Sequence, residues 1–433
     1  MVSQRTCTST HASPGESPRV HNAAPSWVPS SLVGYSGAMQ LSFYYDVVCP
    51  YAYLASQRVE ALAERTGAQL KWCPVLLGGL YQHHESAQVP AQTWAANKVA
   101  IGARDLMQQA AHHKTAFNPS PHHPQRSVQA MRLIVGAPES VRPALSHDLF
   151  AAYHVHEANI NDTEVLTTIA QRHGLDLSLL DSPVIKQELR ERTASAAQAG
   201  AFGVPTFEVN GELWWGQDRM QMVEQAIGGH RAAPKSAAEA TGKEITFFHD
   251  FSSPFSYLAS TQIDRIAAMA GATVKWRPIL LGALFKEVGT ANVPLFTMSE
   301  AKQRYVGLDL SRWAKWWDVP FTFPESFPIR TVTALRVAIQ APEATAPLYR
   351  AVWAGGLDIG DLSVLSTVLN QAGLDAAALI EGTQNPDIKQ VLKDNTSAAI
   401  EAGACGVPTF TLGDELWWGQ DRLDLVEAAL RRA

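Results

Sequence analysis

The chain carries one pattern twice, and that repetition constrains its fold more than any other feature. Residues 41–56 read LSFYYDVVCPYAYLAS and residues 245–260 read ITFFHDFSSPFSYLAS. Near the end of each half the echo returns, as GVPTFEVNGELWWGQDR at 203–219 and GVPTFTLGDELWWGQDR at 406–422. Cys49 aligns with Ser253, Trp72 with Trp276, Pro90 with Pro294 and Lys98 with Lys302, all 204 apart. Gly174 and Gly373 are 199 apart and Pro205 and Pro408 are 203 apart, so the register slips only by small loop changes. A unit of roughly 190 residues is a whole domain, not the module of a solenoid, which is about 20–50 residues. The duplication therefore predicts two homologous domains in tandem, and each half serves as a comparison for the other.

The length of 433 residues fits two domains, and 46% apolar residues suffice for two cores. A net charge of -6 excludes the basic footprint of a nucleic-acid binder. No apolar run is long enough to predict a membrane span. Residues 1–38 are rich in Ser, Pro and small polar residues without apolar periodicity, which predicts a disordered extension; they hold no apolar signal core. Met39 directly precedes the first strand, so the extension is either a real tail or an upstream start misread. Cys7, Cys49, Cys73 and Cys405 show neither C-x-x-C nor zinc spacing. We therefore expect no disulfide framework, no metal and a cytoplasmic, reducing setting. The His pairs at 83–84, 112–113 and 122–123 are poor ligand pairs, since adjacent side chains diverge.

Each half opens with an aromatic strand, a Pro that suits a first helical turn, a helix closed by Gly67 or Gly271, and a second strand. A largely helical middle follows, then strand, turn, strand and closing helix. This is an α/β order, a thioredoxin-like fold with an inserted helical domain, in two tandem copies. The expected boundaries are 1–38 extension, 39–227 first domain, 228–243 linker and 244–433 second domain.

Cys49 and Ser253 each stand between a strand and a helix N-terminus, where free amides and the helix dipole favour negative charge. A thiol there is expected to have a lowered pKa. A serine there can hold another molecule's thiolate by a hydrogen bond, or simply cap the helix. Val204-Pro205 and Val407-Pro408 interrupt strand-like runs and are expected as cis bonds facing those helix ends. The backbone of Val407 is then open to pairing with a peptide-like ligand. Gln217, Asp218, Gln420 and Asp421 start the last helices; an amide, a carboxylate and free N–H groups suit an α-amino acid head group, although an Asp N-cap explains the same residues.

The second half resembles the 2-hydroxychromene-2-carboxylate isomerases, relatives of the kappa-class glutathione transferases with a DsbA-like thioredoxin fold. The resemblance rests on DFSSPFSYLA at 250–259, PILLGALF at 278–285, NVP at 292–294, AKQRY at 301–305, DLSRWA at 309–314, FP at 327–328, GVPTF at 406–410 and WGQDRL at 418–423. It implies glutathione as cofactor, with Ser253 bonded to its sulfur and Val407, before Pro408, paired with its cysteinyl backbone. Gln420 and Asp421 would hold the γ-glutamyl end, and Asn292 and Lys302 a carboxylate of glutathione or substrate. Phe255, Trp313, Trp316, Trp317 and Phe327 are candidate walls for a small aromatic substrate. The implied activity is isomerisation in aromatic catabolism by thiolate addition, bond rotation and elimination. Relatives of this family are homodimers, so an internal pseudo-dimer of the two halves is expected.

The first half keeps Val204, Pro205, Gln217, Asp218 and Lys98 but has Cys49 in a CPYA site, with Ala52 where a resolving Cys would stand. Without that thiol a dithiol cycle cannot close within the site. The readings left open are a kappa-type transferase or peroxidase, a thiol–disulfide oxidoreductase acting through Cys49, and a noncatalytic first half.

Overall fold

The computed structural model describes residues 39–231, 236–238 and 240–432; the 1–38 extension and the centre of the linker fall outside the described residues. In the first half, β1 (Gln40–Tyr45) runs parallel to β2 (Gln69–Pro74) and antiparallel to β3 (Thr206–Val209), which pairs with β4 (Glu212–Trp215). The second half repeats this with β5 (Glu244–His249), β6 (Thr273–Pro278), β7 (Thr409–Leu412) and β8 (Glu415–Trp418). The sheet orders are β2-β1-β3-β4 and β6-β5-β7-β8. The β3–β4 hairpin turns on Asn210 and Gly211, both at positive φ, which an Asn-Gly pair adopts at low cost.

The opening helix spans Pro50–Thr66 and stops at Gly67, whose φ of 68° lets its N–H reach the Ala63 and Glu64 carbonyls. The single matching helix expected in the second half is instead two, Pro254–Ser260 and Ile263–Met269. Side-chain competition fits the break: Thr261 Oγ1 donates to the Leu258 carbonyl at 2.7 Å, and Gln262 Nε2 donates to Thr261 Oγ1.

The helical insertions lie over the sheets. One apolar cluster runs from Phe43, Tyr45 and Phe150 of the first half to Trp313, Tyr349 and Trp353 of the second. Residues from Met39 onward form one compact unit. Its seam is built by two long helices, Ala96–His112 and Glu300–Trp317. Tyr305 Oη accepts from the Trp215 N–H at 2.8 Å and donates to the Trp215 carbonyl, while Arg312 donates to the Leu213 carbonyl at 2.6 Å. From the other side Asn97 Nδ2 donates to the Ala404 carbonyl at 3.1 Å, and Ile101 packs on Cys405 and Leu416.

Candidate active site

Val204-Pro205 and Val407-Pro408 are both cis, as are His123-Pro124 and Phe327-Pro328. Each GVP loop meets the start of the opening helix. Ser253 Oγ donates to the Val407 carbonyl at 3.0 Å and accepts from the Ser256 N–H at 3.1 Å. It therefore caps the helix, and the same hydroxyl turns its hydrogen to the cis-Pro loop. Cys49 Sγ donates to the Val204 carbonyl at 3.2 Å.

The thiol departs from expectation. Burial pushes Cys49 up to about 12, and the amides of Ala52 and Tyr51 offset only part of that. A helix N-terminus lowers a thiol pKa only where desolvation does not outweigh it. Among the described residues Cys49, Cys73 and Cys405 are all free, and Cys73 Sγ turns to the Lys71 carbonyl of its own strand.

Beneath each site lies a buried carboxylate that the sequence reading did not single out. Asp250 accepts from the N–H groups of Ser252 (2.9 Å) and Leu281 (2.8 Å) and from Thr331 Oγ1 (2.7 Å). It ties the loop before Ser253 to the exit of β6 and to the loop after cis-Pro328. Asp46 repeats the arrangement with Val48, Leu77 and Ser127, and burial raises it to about 6. The signal was present in the sequence: Asp stands three residues before Cys49 and before Ser253 in both copies.

The head-group residues converge on the seam. Arg219 pairs bidentately with Asp309 across it, at 2.8 Å from both Nε and Nη2, and reaches Asp218 (2.9 Å) and Asp421 (3.0 Å). Arg422 mirrors this with Asp105, Asp218 (2.6 Å) and Asp421 (3.2 Å). Two guanidinium groups thus serve four carboxylates. Burial, opposed by the two arginines, leaves the Asp421 carboxyl above its ordinary range; the same arginines hold Asp218 below it against burial. Gln217 and Gln420 are both buried beside this cluster.

Lys302, expected to face a carboxylate of glutathione or substrate, has its Nζ 5.0 Å from the Trp215 ring of the first half, because Tyr305 and Arg312 on the same helix fasten that face to β4. Trp215 in turn lies against Gly203, at the first cis-Pro loop. Lys98 reciprocates over Trp418, which lies against Gly406. Burial and the neighbouring Lys98 lower Lys302 to about 8. Of the candidate walls, Trp313 is buried in the seam under Arg219, and Trp316 lies under Arg231. Phe327 does belong to an aromatic group, with Phe321, Phe323 and Trp353, and Phe296 at its edge. Asn292 is exposed in the loop before Pro294, close to Gly282.

Two thioredoxin folds, each with a Cys or Ser at the helix start facing a cis-Pro loop, define the class. The model of the DSBA-like thioredoxin domain matches residues 40–228 and again 244–431, and the chain belongs to that family. It is 33% identical over 193 residues to a 2-hydroxychromene-2-carboxylate isomerase of Pseudomonas putida, covering 43% of this chain and 94% of the relative. A glutathione S-transferase kappa 1 of Caenorhabditis elegans is 27% identical over 208 residues, covering 43% and 91%. A solved 2-hydroxychromene-2-carboxylate isomerase structure aligns with 30% identity and a TM-score of 0.40, over 43% of this chain and 94% of that one. The relatives are enzymes of half this length, and this chain holds the domain twice.

Proposed function

We propose that the second half is a glutathione-dependent isomerase of the 2-hydroxychromene-2-carboxylate isomerase type, and that the two halves form an internal pseudo-dimer. The observation that carries the reading is Ser253, a hydroxyl whose hydrogen now rests on the Val407 carbonyl and whose oxygen is fixed by the Ser256 amide. A thiolate entering beside Val407 replaces that carbonyl as acceptor, and a charged acceptor makes the stronger bond. The sulfur must come from a cosubstrate, because the second half places no cysteine at this position.

The rest of the site matches a tripeptide thiol. The Val407 backbone beside cis-Pro408 suits a cysteinyl unit. Asp421, a buried carboxylate sharing its guanidinium partners with three others, favours an added ammonium. The thiolate adds to a conjugated double bond of the acceptor, the resulting single bond rotates, and elimination returns both the double bond and the thiol. Phe323 and Phe327, beside cis-Pro328, offer a flat apolar wall to an aromatic acceptor.

The pseudo-dimer reading rests on the reciprocal arginines and lysines of the seam. The kappa-type transferase remains the second reading, since it uses the same site; turnover of glutathione separates the two. Dithiol chemistry through Cys49 is disfavoured by its protonated, buried thiol. The test is isomerisation of 2-hydroxychromene-2-carboxylate with substoichiometric glutathione. Many turnovers per glutathione support the isomerase. Consumption of one glutathione per product supports the transferase, and conversion without glutathione overturns both.

A further inference from the structure

The halves differ at one position beside the head-group residues. The opening helix of the first half carries Arg58 where the aligned residue of the second is Gln262. Arg58 Nη2 donates to the Gln217 carbonyl at 3.2 Å and to Gln217 Oε1, and Nε donates to the Leu54 carbonyl at 3.3 Å. Every acceptor is neutral, and among the described residues no carboxylate pairs with this guanidinium directly. Burial lowers Arg58 to about 10, so it stays charged at neutral pH. Asp218 and Asp424 act on it only through their field.

The guanidinium also dictates how the Gln217 amide is turned. It claims Oε1, and the Nε2 beside it is buried without a hydrogen-bond partner on a residue 2% exposed. A buried orphan donor costs about 1–3 kcal/mol, which an incoming acceptor recovers. His113 nearby is lowered to about 3, first by burial and then by Arg58 and His112. The second half lacks this arrangement: Gln262 accepts from Arg265 at 3.0 Å and donates to Thr261, and Gln420 leaves no orphan nitrogen among the described residues.

We propose that Arg58 and Gln217 Nε2 form a carboxylate subsite in the first half which, with Asp218, holds an α-amino acid head group as a zwitterion. The carboxylate rests on Arg58 and Gln217, and the ammonium on Asp218. The ligand class is a γ-glutamyl peptide, bound more tightly here than in the second half. The first half then stores or senses the peptide rather than activating its sulfur. This rests on the glutathione reading above, and asks only about the glutamyl end.

The test is calorimetry on the intact chain with γ-glutamyl-2-aminobutyryl-glycine, which is glutathione with a methyl group in place of the thiol. Variants are Arg58→Gln, Arg58→Lys and Gln262→Arg, each exchanging a residue for a homologous or conservative one. The wild type should show two sites of unequal affinity. Loss of one charge-assisted hydrogen bond predicts that Arg58→Gln weakens the tighter site on the order of 10-fold or more. Arg58→Lys should keep part of that affinity, and Gln262→Arg should strengthen the weaker site. The same peptide lacking its α-carboxylate should bind wild type and Arg58→Gln equally. Two sites unchanged by Arg58→Gln, or full affinity without the α-carboxylate, overturns the subsite alone. No binding to any version overturns the glutathione reading with it.

Discussion

Arg219 is the residue whose removal should do most harm to the two-domain unit. Its guanidinium is 8% exposed and neutralises Asp309 across the seam, with Asp218 and Asp421 beside it. Arg219→Ala leaves Asp309 with a bidentate partner gone and strips both head-group carboxylates of one of their two cations. Breaking a buried pair from one side costs about 3–5 kcal/mol, since the remaining charge stays desolvated. The seam offers little relief, because Arg422 already serves Asp105, Asp218 and Asp421. The control is Arg65→Ala, whose partner Glu224 lies on the surface with Arg65 50% exposed; that pair is worth about 0–1 kcal/mol. Urea unfolding followed by tryptophan fluorescence and by circular dichroism reads both. With an m-value of about 3 kcal/mol/M or less, Arg219→Ala should move the first transition down by at least about 1 M, and Arg65→Ala by a few tenths. If the two variants shift alike, the seam cluster is not a buried ion network and the reasoning fails.

Three further outcomes follow from the same geometry. Cys49 should react with iodoacetamide at pH 7.5 on the order of 1,000-fold more slowly than a free thiol, read by peptide mass spectrometry; its pKa of about 12 leaves little thiolate, and ordinary reactivity would contradict the closed site. Lys302 should titrate near 8 in the NMR of reductively methylated protein and move up in Lys98→Met, since Lys98 is a secondary cause of the shift after burial. The side-chain carboxyl of Asp46 should titrate near 6. Its folded value lies above the unfolded one, so the stability it contributes is full in acid and is lost as pH rises through 6. The difference is worth on the order of 3 kcal/mol, and an Asp46 titration in the ordinary carboxylate range would refute it.

Much of the fold was legible because its signals are local. Strand alternation, Pro50 and Pro254 at helix starts, Gly67 as a stop and Asn210-Gly211 as a turn each act over a few residues. The duplicated GVPTF string pointed to the cis loops, and Ser253 and Cys49 stand opposite them as expected. What escaped was non-local. Nothing within ten residues of Arg219 announces Asp309, ninety positions away, nor does AKQRY reveal that Tyr305 turns its face of the helix to the other half. The lowered thiol pKa expected at Cys49 failed for a related reason: helix-end electrostatics are written in the local sequence, whereas burial is set by everything packed above it. Arg58 shows the value of two copies, because only comparison with Gln262 marks it as a departure.

The most direct test of the central assignment is calorimetry of glutathione and of S-methylglutathione with wild type and Ser253→Ala at pH 7. Ser253 supplies a charge-assisted hydrogen bond to sulfur, worth about 1.5–3 kcal/mol, so Ser253→Ala should weaken glutathione at one site roughly 10- to 150-fold while barely changing the S-methyl compound. Equal loss for both ligands, or no loss for either, would mean that Ser253 only caps its helix and that the second half does not hold the thiolate.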